Sequence, residues 1–183
     1  REDLANVANN LRVTVFRLKK MLSATCLPEY EYLHIEKGLY KWESPIPLYI
    51  DALEFAELVE QAKNETDKEK RGKLLLEACR LYRGEFLPGL SGEDWVIVLS
   101  VQYKKLYSYA IKEVCEYLKE QKEYETILEL TKTAVEIYPF DEYQTYRIDA
   151  MIALNHYKEA RDYYEETSKM FFEELGIAPS EKM

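Results

Sequence analysis

From Asp51 to the end of the chain, nearly every stretch between two turn signals carries its apolar side chains at steps of three and four. That spacing follows one face of an α-helix. Strands, whose faces alternate every second residue, do not fit it. Leu53, Phe55, Ala56, Leu58 and Val59 mark a helix over 51–64, with Asp51 expected as its N-cap and Glu54 at the capping-box position. Asp67 is expected to cap a second helix through Tyr82, built on Leu74, Leu75, Ala78 and Leu81. A turn-rich run from Arg83 to Gly92 interrupts, and Trp95 is expected to anchor it onto the helices. A long helix should follow from about Glu93 to Gln121, broken at Lys122 and Glu123. The next should reach about Tyr138, where Pro139 stops it and Asp141 restarts it. Asn155 and His156 turn the chain into a last helix, which closes near Gly176 with Pro179 beyond.

Helices in this antiparallel order suggest an array of tetratricopeptide-like repeats, which place a small residue in the second helix and a proline after it. Leu118, Tyr124, Ala134 and Pro139 fit one such unit. Met151, Asn155, Ala160 and Tyr164 fit another loosely, and Leu74 with Ala78 a third. A helical bundle without repeats would produce a similar pattern. Sixteen tyrosines against six glycines also suit stacked helices with large amphipathic side chains.

The first 43 residues differ. Leu4, Val7, Leu11, Val15, Leu18 and Leu22 form one helical stripe. The opposite side carries Asn6, Asn9, Val13, Phe16, Arg17 and Lys20, with Arg12 and Lys19 flanking. A basic helix with amide and guanidinium groups on its free face is what entry into a DNA major groove requires, although many solvated surface helices share that look. A hairpin follows. Tyr32, His34 and Glu36 alternate with Leu33 and Ile35, Lys37-Gly38 supplies a turn, and the aromatic-rich run Leu39 to Trp42 returns. Ser44 to Ile50, with Pro45 and Pro47, reads as a stiff extended linker.

Charge sharpens the division. Residues 1–50 carry a net +1 and residues 51–183 a net −10. Nonspecific attraction to nucleic acid or anionic membrane is therefore excluded for the acidic part, and DNA contact is confined to the N-terminal piece. Three separated cysteines and two histidines offer no zinc spacing and argue against a disulfide framework. Signal-peptide and membrane-spanning runs are not found, which leads to the expectation of a cytoplasmic protein. Catalytic motifs are wanting too. There is no phosphate-cradling glycine loop, Gly89 to Gly92 lacks nucleophile-elbow spacing, and the carboxylate pairs at Glu165-Glu166 and Glu173-Glu174 splay around a helix. A non-enzyme without cofactor or metal is expected.

The segment Asn10 to Leu22 resembles the recognition helix of the winged helices in response regulators and in the antibiotic regulatory protein (SARP) family, and Ile35 to Trp42 resembles their wing. Leu81 to Trp95, Ala160-Arg-Asp-Tyr-Tyr164 and Glu173 to Ser180 resemble segments of the bacterial transcriptional activator domain, which follows a winged helix in that family. The resemblance implies a mainly α chain. Residues 1–43 would be the recognition helix and wing of an incomplete winged helix, 44–50 a linker and 51–183 a tetratricopeptide-like activator domain. The front half of the winged helix, a small sheet and two helices, is not among these residues, so the chain reads as a portion of a larger regulator.

By that resemblance the groove-facing and phosphate-facing residues are Asn9, Arg12, Val13, Arg17, Lys19, Lys20 and Lys37. Double-stranded DNA is the implied partner of the N-terminal part. A second copy or RNA polymerase is the implied partner of the helical domain, on a tyrosine-lined concave surface, and no membrane is involved. Two departures weaken phosphate contact: Glu36 stands where such wings commonly carry arginine, and Phe16 where many relatives carry a basic residue. A protein-binding repeat module and a small-molecule sensor are the alternative functions.

Overall fold

Helix forms wherever the three-and-four spacing marks it; the computed structural model describes residues 4–176, 178 and 180. The chain divides into two units, one up to Tyr49 and one from Ile50 onward.

In the first unit, α1 spans Leu4–Ser23. At its end the Ser23 hydroxyl donates to the Lys19 carbonyl at 2.9 Å and Thr25 Oγ1 to the Leu22 carbonyl at 2.6 Å. These bonds satisfy acceptors that a helix terminus leaves open. Strands β1 (Leu33–Glu36) and β2 (Leu39–Trp42) form an antiparallel hairpin, with Leu33 opposite Trp42 and Glu36 opposite Leu39. Lys37 and Gly38 form its two-residue loop, both with positive φ (51° and 81°), the type I′ geometry that matches strand twist. The Glu43 amide donates to the Tyr32 carbonyl at 2.9 Å and extends the ladder. Tyr32 is buried, stacked on Trp42 with ring centroids 5.4 Å apart, and its hydroxyl donates to the Pro28 carbonyl at 2.8 Å.

The second unit consists of α2 (Asp51–Asn64), α3 (Lys68–Leu81), α4 (Asp94–Gln121), α5 (Tyr124–Ile137), α6 (Asp141–Ala153) and α7 (Tyr157–Met170). A π-helical turn over Phe171–Leu175 follows and ends at Gly176, in the left-handed region at φ 66°. Pro179, expected beyond it, lies outside the described residues. Asp67 caps α3 as expected, accepting from the Lys70 amide at 2.9 Å. Asp51 does not cap α2. Ile50 occupies the N-cap with extended backbone, and the Asp51 carboxylate, one residue inside, accepts from the adjacent Ala52 amide.

Consecutive helices pack in sequence: α2 on α3, α3 on α4, α4 on α5, α5 on α6, α6 on α7. This is the nearest-neighbour order of a repeat stack. The first helices of the second and third hairpins also meet. Tyr143 donates to Ser108 Oγ at 3.1 Å, Tyr146 to a Glu116 carboxylate oxygen at 2.8 Å, and Lys119 pairs with Asp149 at 3.0 Å. Arg71 pairs with Glu113 and Lys68 with Glu120 to hold α3 on α4. Small residues set the close approaches: Ala78 and Ala134 are fully buried, and Gly72 lies against the Tyr117 ring.

Several tyrosines of the helical unit, Tyr82, Tyr107, Tyr138, Tyr143 and Tyr146, belong to its core. Tyr107 is 1% exposed, and Tyr82 stacks on it at 4.1 Å. The hydroxyls of Tyr82 and Tyr138 share a buried hydrogen bond of 2.9 Å. An aromatic ring fills the wide spaces between stacked hairpins, and its hydroxyl finds a partner there. Trp95 meets the loop edge-on at Phe86, ring centroids 6.4 Å apart, while remaining 51% exposed. Phe86 in turn packs on α4, with its ring 5.0 Å from that of Tyr103. Cys79 and Cys115 are buried free thiols, and burial pushes the Cys115 thiol up to about 12.

Candidate nucleic-acid interface

The first unit places the residues of interest on one helix face and one turn. Asn9, Val13, Arg17 and Lys20 recur at steps of four, four and three along α1, so they share a face about three turns long. All four are exposed, as is Arg12 beside them. Among the described residues Asn9, Arg12, Arg17 and Lys20 make no side-chain hydrogen bond or ion pair. Their donors stay open to a ligand. The side chain of Asn6, expected on the same face, lies outside the described residues.

Lys19 differs from its neighbour. Its ammonium is 2.6 Å from a Glu31 carboxylate oxygen, in the segment leading to the hairpin. That hydrogen bond and charge hold the Glu31 carboxyl below its usual range. Lys19 thus fastens the end of α1 to the approach of β1, and its phosphate role would compete with Glu31. Lys37 sits at the hairpin tip, almost fully exposed, with Glu36 at 3.9 Å. A lysine that the sequence reading did not single out, Lys41 on β2, pairs with Glu43 at 2.7 Å. The pair raises the lysine and lowers the glutamate from their usual values, chiefly through the shared hydrogen bond. The two-residue separation of Lys41 and Glu43 was the available signal, since on extended backbone it puts both side chains on one side.

The opposite face of α1 is apolar and open. Val7, Leu11 and Leu18 are exposed, and Val15 and Leu22 are half-buried; the side chain of Leu4 lies outside the described residues. Phe16 and Met21 add exposed apolar groups elsewhere on the helix. Met21 falls between the apolar stripe and the polar face.

The acidic unit offers other chemistry. A cleft of about 610 Å³ opens beside the start of α2, walled by Phe55, Tyr82, Phe86 and Tyr103. Among the described residues no cluster of His, Cys, Asp or Glu is arranged to hold a metal ion. No helix among them is long and apolar enough to cross a membrane.

Residues 50–183 match the family model described as the bacterial transcriptional activator domain. Among solved structures, that of Mycobacterium tuberculosis EmbR in complex with a low affinity phosphopeptide is similar, with a TM-score of 0.58 and 18% identity over 96% of this chain. At that identity the likeness is one of fold. The chain spans about half of EmbR, 47% of its length. No curated protein matches the sequence.

Proposed function

The chain belongs to the bacterial transcriptional activator domain family, and from that premise we propose that it serves a DNA-binding transcriptional regulator of the SARP kind. In this reading residues 1–43 are the recognition helix and wing of a winged helix, 44–50 the linker and 51–183 the activator domain.

The observation that carries it is the open donor face of α1. Asn9, Arg12, Arg17 and Lys20 are exposed and unengaged among the described residues, next to a hairpin with Lys37 at its tip. A helix of this width fits the major groove. Arg17 would bond guanine O6 and N7, Asn9 an adenine edge, and Val13 would touch a thymine methyl. Lys20, Arg12 and Lys37 would neutralise phosphate or reach the neighbouring minor groove. Lys19 would contribute less, since Glu31 already holds it. The helical unit, with its net −10 charge in residues 51–183, would keep off DNA and serve protein contacts.

The test uses the full-length protein and a selected DNA site. Arg17→Ala should weaken specific binding by about 1–3 kcal/mol and relax preference at one base pair. Lys20→Ala should weaken all sequences alike and reduce the salt slope by about one phosphate contact. The reading fails if DNA binding is insensitive to salt or absent, or if the Arg17→Ala/Lys20→Ala double variant binds like the parent.

A further inference from the structure

Phe16 is the most exposed large apolar side chain of α1 among the described residues, at 68%. An aromatic side chain is a poor choice for a solvated helix face, since it loses rotamer freedom there and its ring gains nothing in water. Its direction excludes the simplest account, that it belongs to a core. At about 100° per residue, Leu4, Val7, Leu11, Val15, Leu18 and Leu22 centre on one side of the helix, and Phe16 points about 140° away from that centre. Arg17, assigned to a guanine, points about 120° away. Whatever covers the stripe therefore leaves Phe16 on the far side, with the polar face.

The neighbours of Phe16 on that face supply the second observation. Asn9, Val13, Phe16 and Lys20 follow at steps of four, three and four, one unbroken row. Asn9 and Lys20 are exposed, as are Arg12 and Arg17 to either side. The ring is thus set among amide, ammonium and guanidinium donors. An apolar protein surface would leave those donors without acceptors, whereas a DNA groove offers acceptors around each thymine methyl group. Val13, 40% exposed, precedes Phe16 by almost one turn. The two differ by about 4.5 Å in height along the helix, against about 3.4 Å between base pairs, so side chains at 13 and 16 reach neighbouring pairs.

We propose that Phe16 is a specificity-determining residue whose ring packs on the C5-methyl group of a thymine, at the base pair beside the one that Val13 meets. The inference deepens the DNA-reading role proposed for α1 and rests on it. Two apolar side chains in succession then read two successive pairs by their methyl groups. Thymine alone of the four bases presents a methyl in the groove, so cytosine offers the ring no such contact. A purine is rejected for a different reason. The ring would cover its N7 acceptor without a donor to offer, which leaves a buried polar atom unpaired. Phe16 carries no charge, so it adds selectivity without adding to the salt-dependent hold on phosphate.

The full-length protein selects its site from random-sequence DNA, and each thymine of that site is then replaced in turn by uracil, which pairs alike and lacks only the methyl group. The parent should lose about fourfold in affinity at each of two adjacent pairs, the worth of one buried methyl group, and little elsewhere. Phe16→Ala should bind the thymine site about fivefold to tenfold more weakly, with an unchanged far-ultraviolet circular dichroism spectrum and salt slope. It should no longer tell thymine from uracil at one of the two pairs. Phe16→Lys should lose the same distinction while its salt slope steepens by about one. A selected site without two adjacent A·T pairs overturns the proposal. So does salt-dependent binding in which no uracil replacement matters, or in which Phe16→Ala keeps the thymine preference of the parent at both pairs. The recognition-helix reading survives each of these results, and Phe16 then falls to a protein contact. DNA binding that is absent, or insensitive to salt, ends both.

Discussion

Gly72→Ala is the change whose sign the structure decides against ordinary expectation. Gly72 lies inside α3 and has no positive φ, so by helix propensity alone alanine should stabilise by about 0.8–1 kcal/mol. A Cβ at that position, however, would stand 2.5 Å from Cδ1 and 2.7 Å from Cγ of Tyr117 on α4. Contacts that short are not tolerated, and three ring atoms are involved, so a small rotation of the ring gives no relief. Either α3 and α4 separate or the half-buried Tyr117 ring swings out to solvent. Overpacking of this kind costs about 1–3 kcal/mol, more than the propensity gain. The net expectation is a loss of about 1 kcal/mol, or about 2–4 °C in Tm for a chain of this size. Thermal and urea unfolding followed by circular dichroism measure it. The decisive control is Tyr117→Ala: in that background Gly72→Ala should reverse sign and stabilise by close to the propensity value. Stabilisation in both backgrounds would falsify the argument, because the ring would then not be what excludes a side chain at residue 72.

Three further outcomes follow from single contacts. Lys37→Asn should steady the hairpin, because asparagine accepts the left-handed backbone at φ 51° better than lysine does, and amide exchange of 33–42 should slow. The same change should lower the salt slope of DNA binding by about one if Lys37 meets phosphate. Tyr82→Phe should cost about 1–2 kcal/mol by leaving the Tyr138 hydroxyl unpaired, while Tyr82→Phe with Tyr138→Phe should cost less than the sum, and an additive double-mutant cycle would count against the buried bond. Burial raises Tyr143 to about 12, so the folded chain holds that proton after the unfolded chain, at about 10, has lost it. Stability should therefore be full below pH of about 10 and fall progressively toward 12, with Tyr143→Phe flattening that fall; a slope unchanged in the variant would contradict the assignment.

What the sequence made legible is what local chemistry controls. The ends of α3, α4, α5 and α6 fall within a residue or two of the expected places, because Asp67, Lys122, Pro139 and Asn155 act on their own backbone. Lys37-Gly38 specified the hairpin turn for the same reason. Asp51 misled because a good cap residue can sit one position inside the helix, with Ile50 taking the extended N-cap backbone. In the candidate interface the face of Asn9, Val13, Arg17 and Lys20 was readable from period alone. The capture of Lys19 by Glu31 was not, since the two are twelve residues apart and meet only through the turn after α1.

The larger departures share one cause. Period says which residues of a helix look the same way, but not what stands opposite. Tyr82, Tyr107 and Tyr138 could have lined a groove or filled one, and only the spacing between stacked hairpins makes them the filling. Trp95, Ile97, Val98 and Val101 resemble core residues in every respect that sequence can register: they are large, apolar and at helical steps. They are exposed because α4 continues two turns and more beyond what α3 and α5 can reach, and helix length relative to neighbours is a property of the pair. An apolar face left over by such a mismatch is therefore where a sequence reading and a structure should be compared first. At that place the residues have been chosen as if for burial, and the packing of the helical unit leaves them exposed.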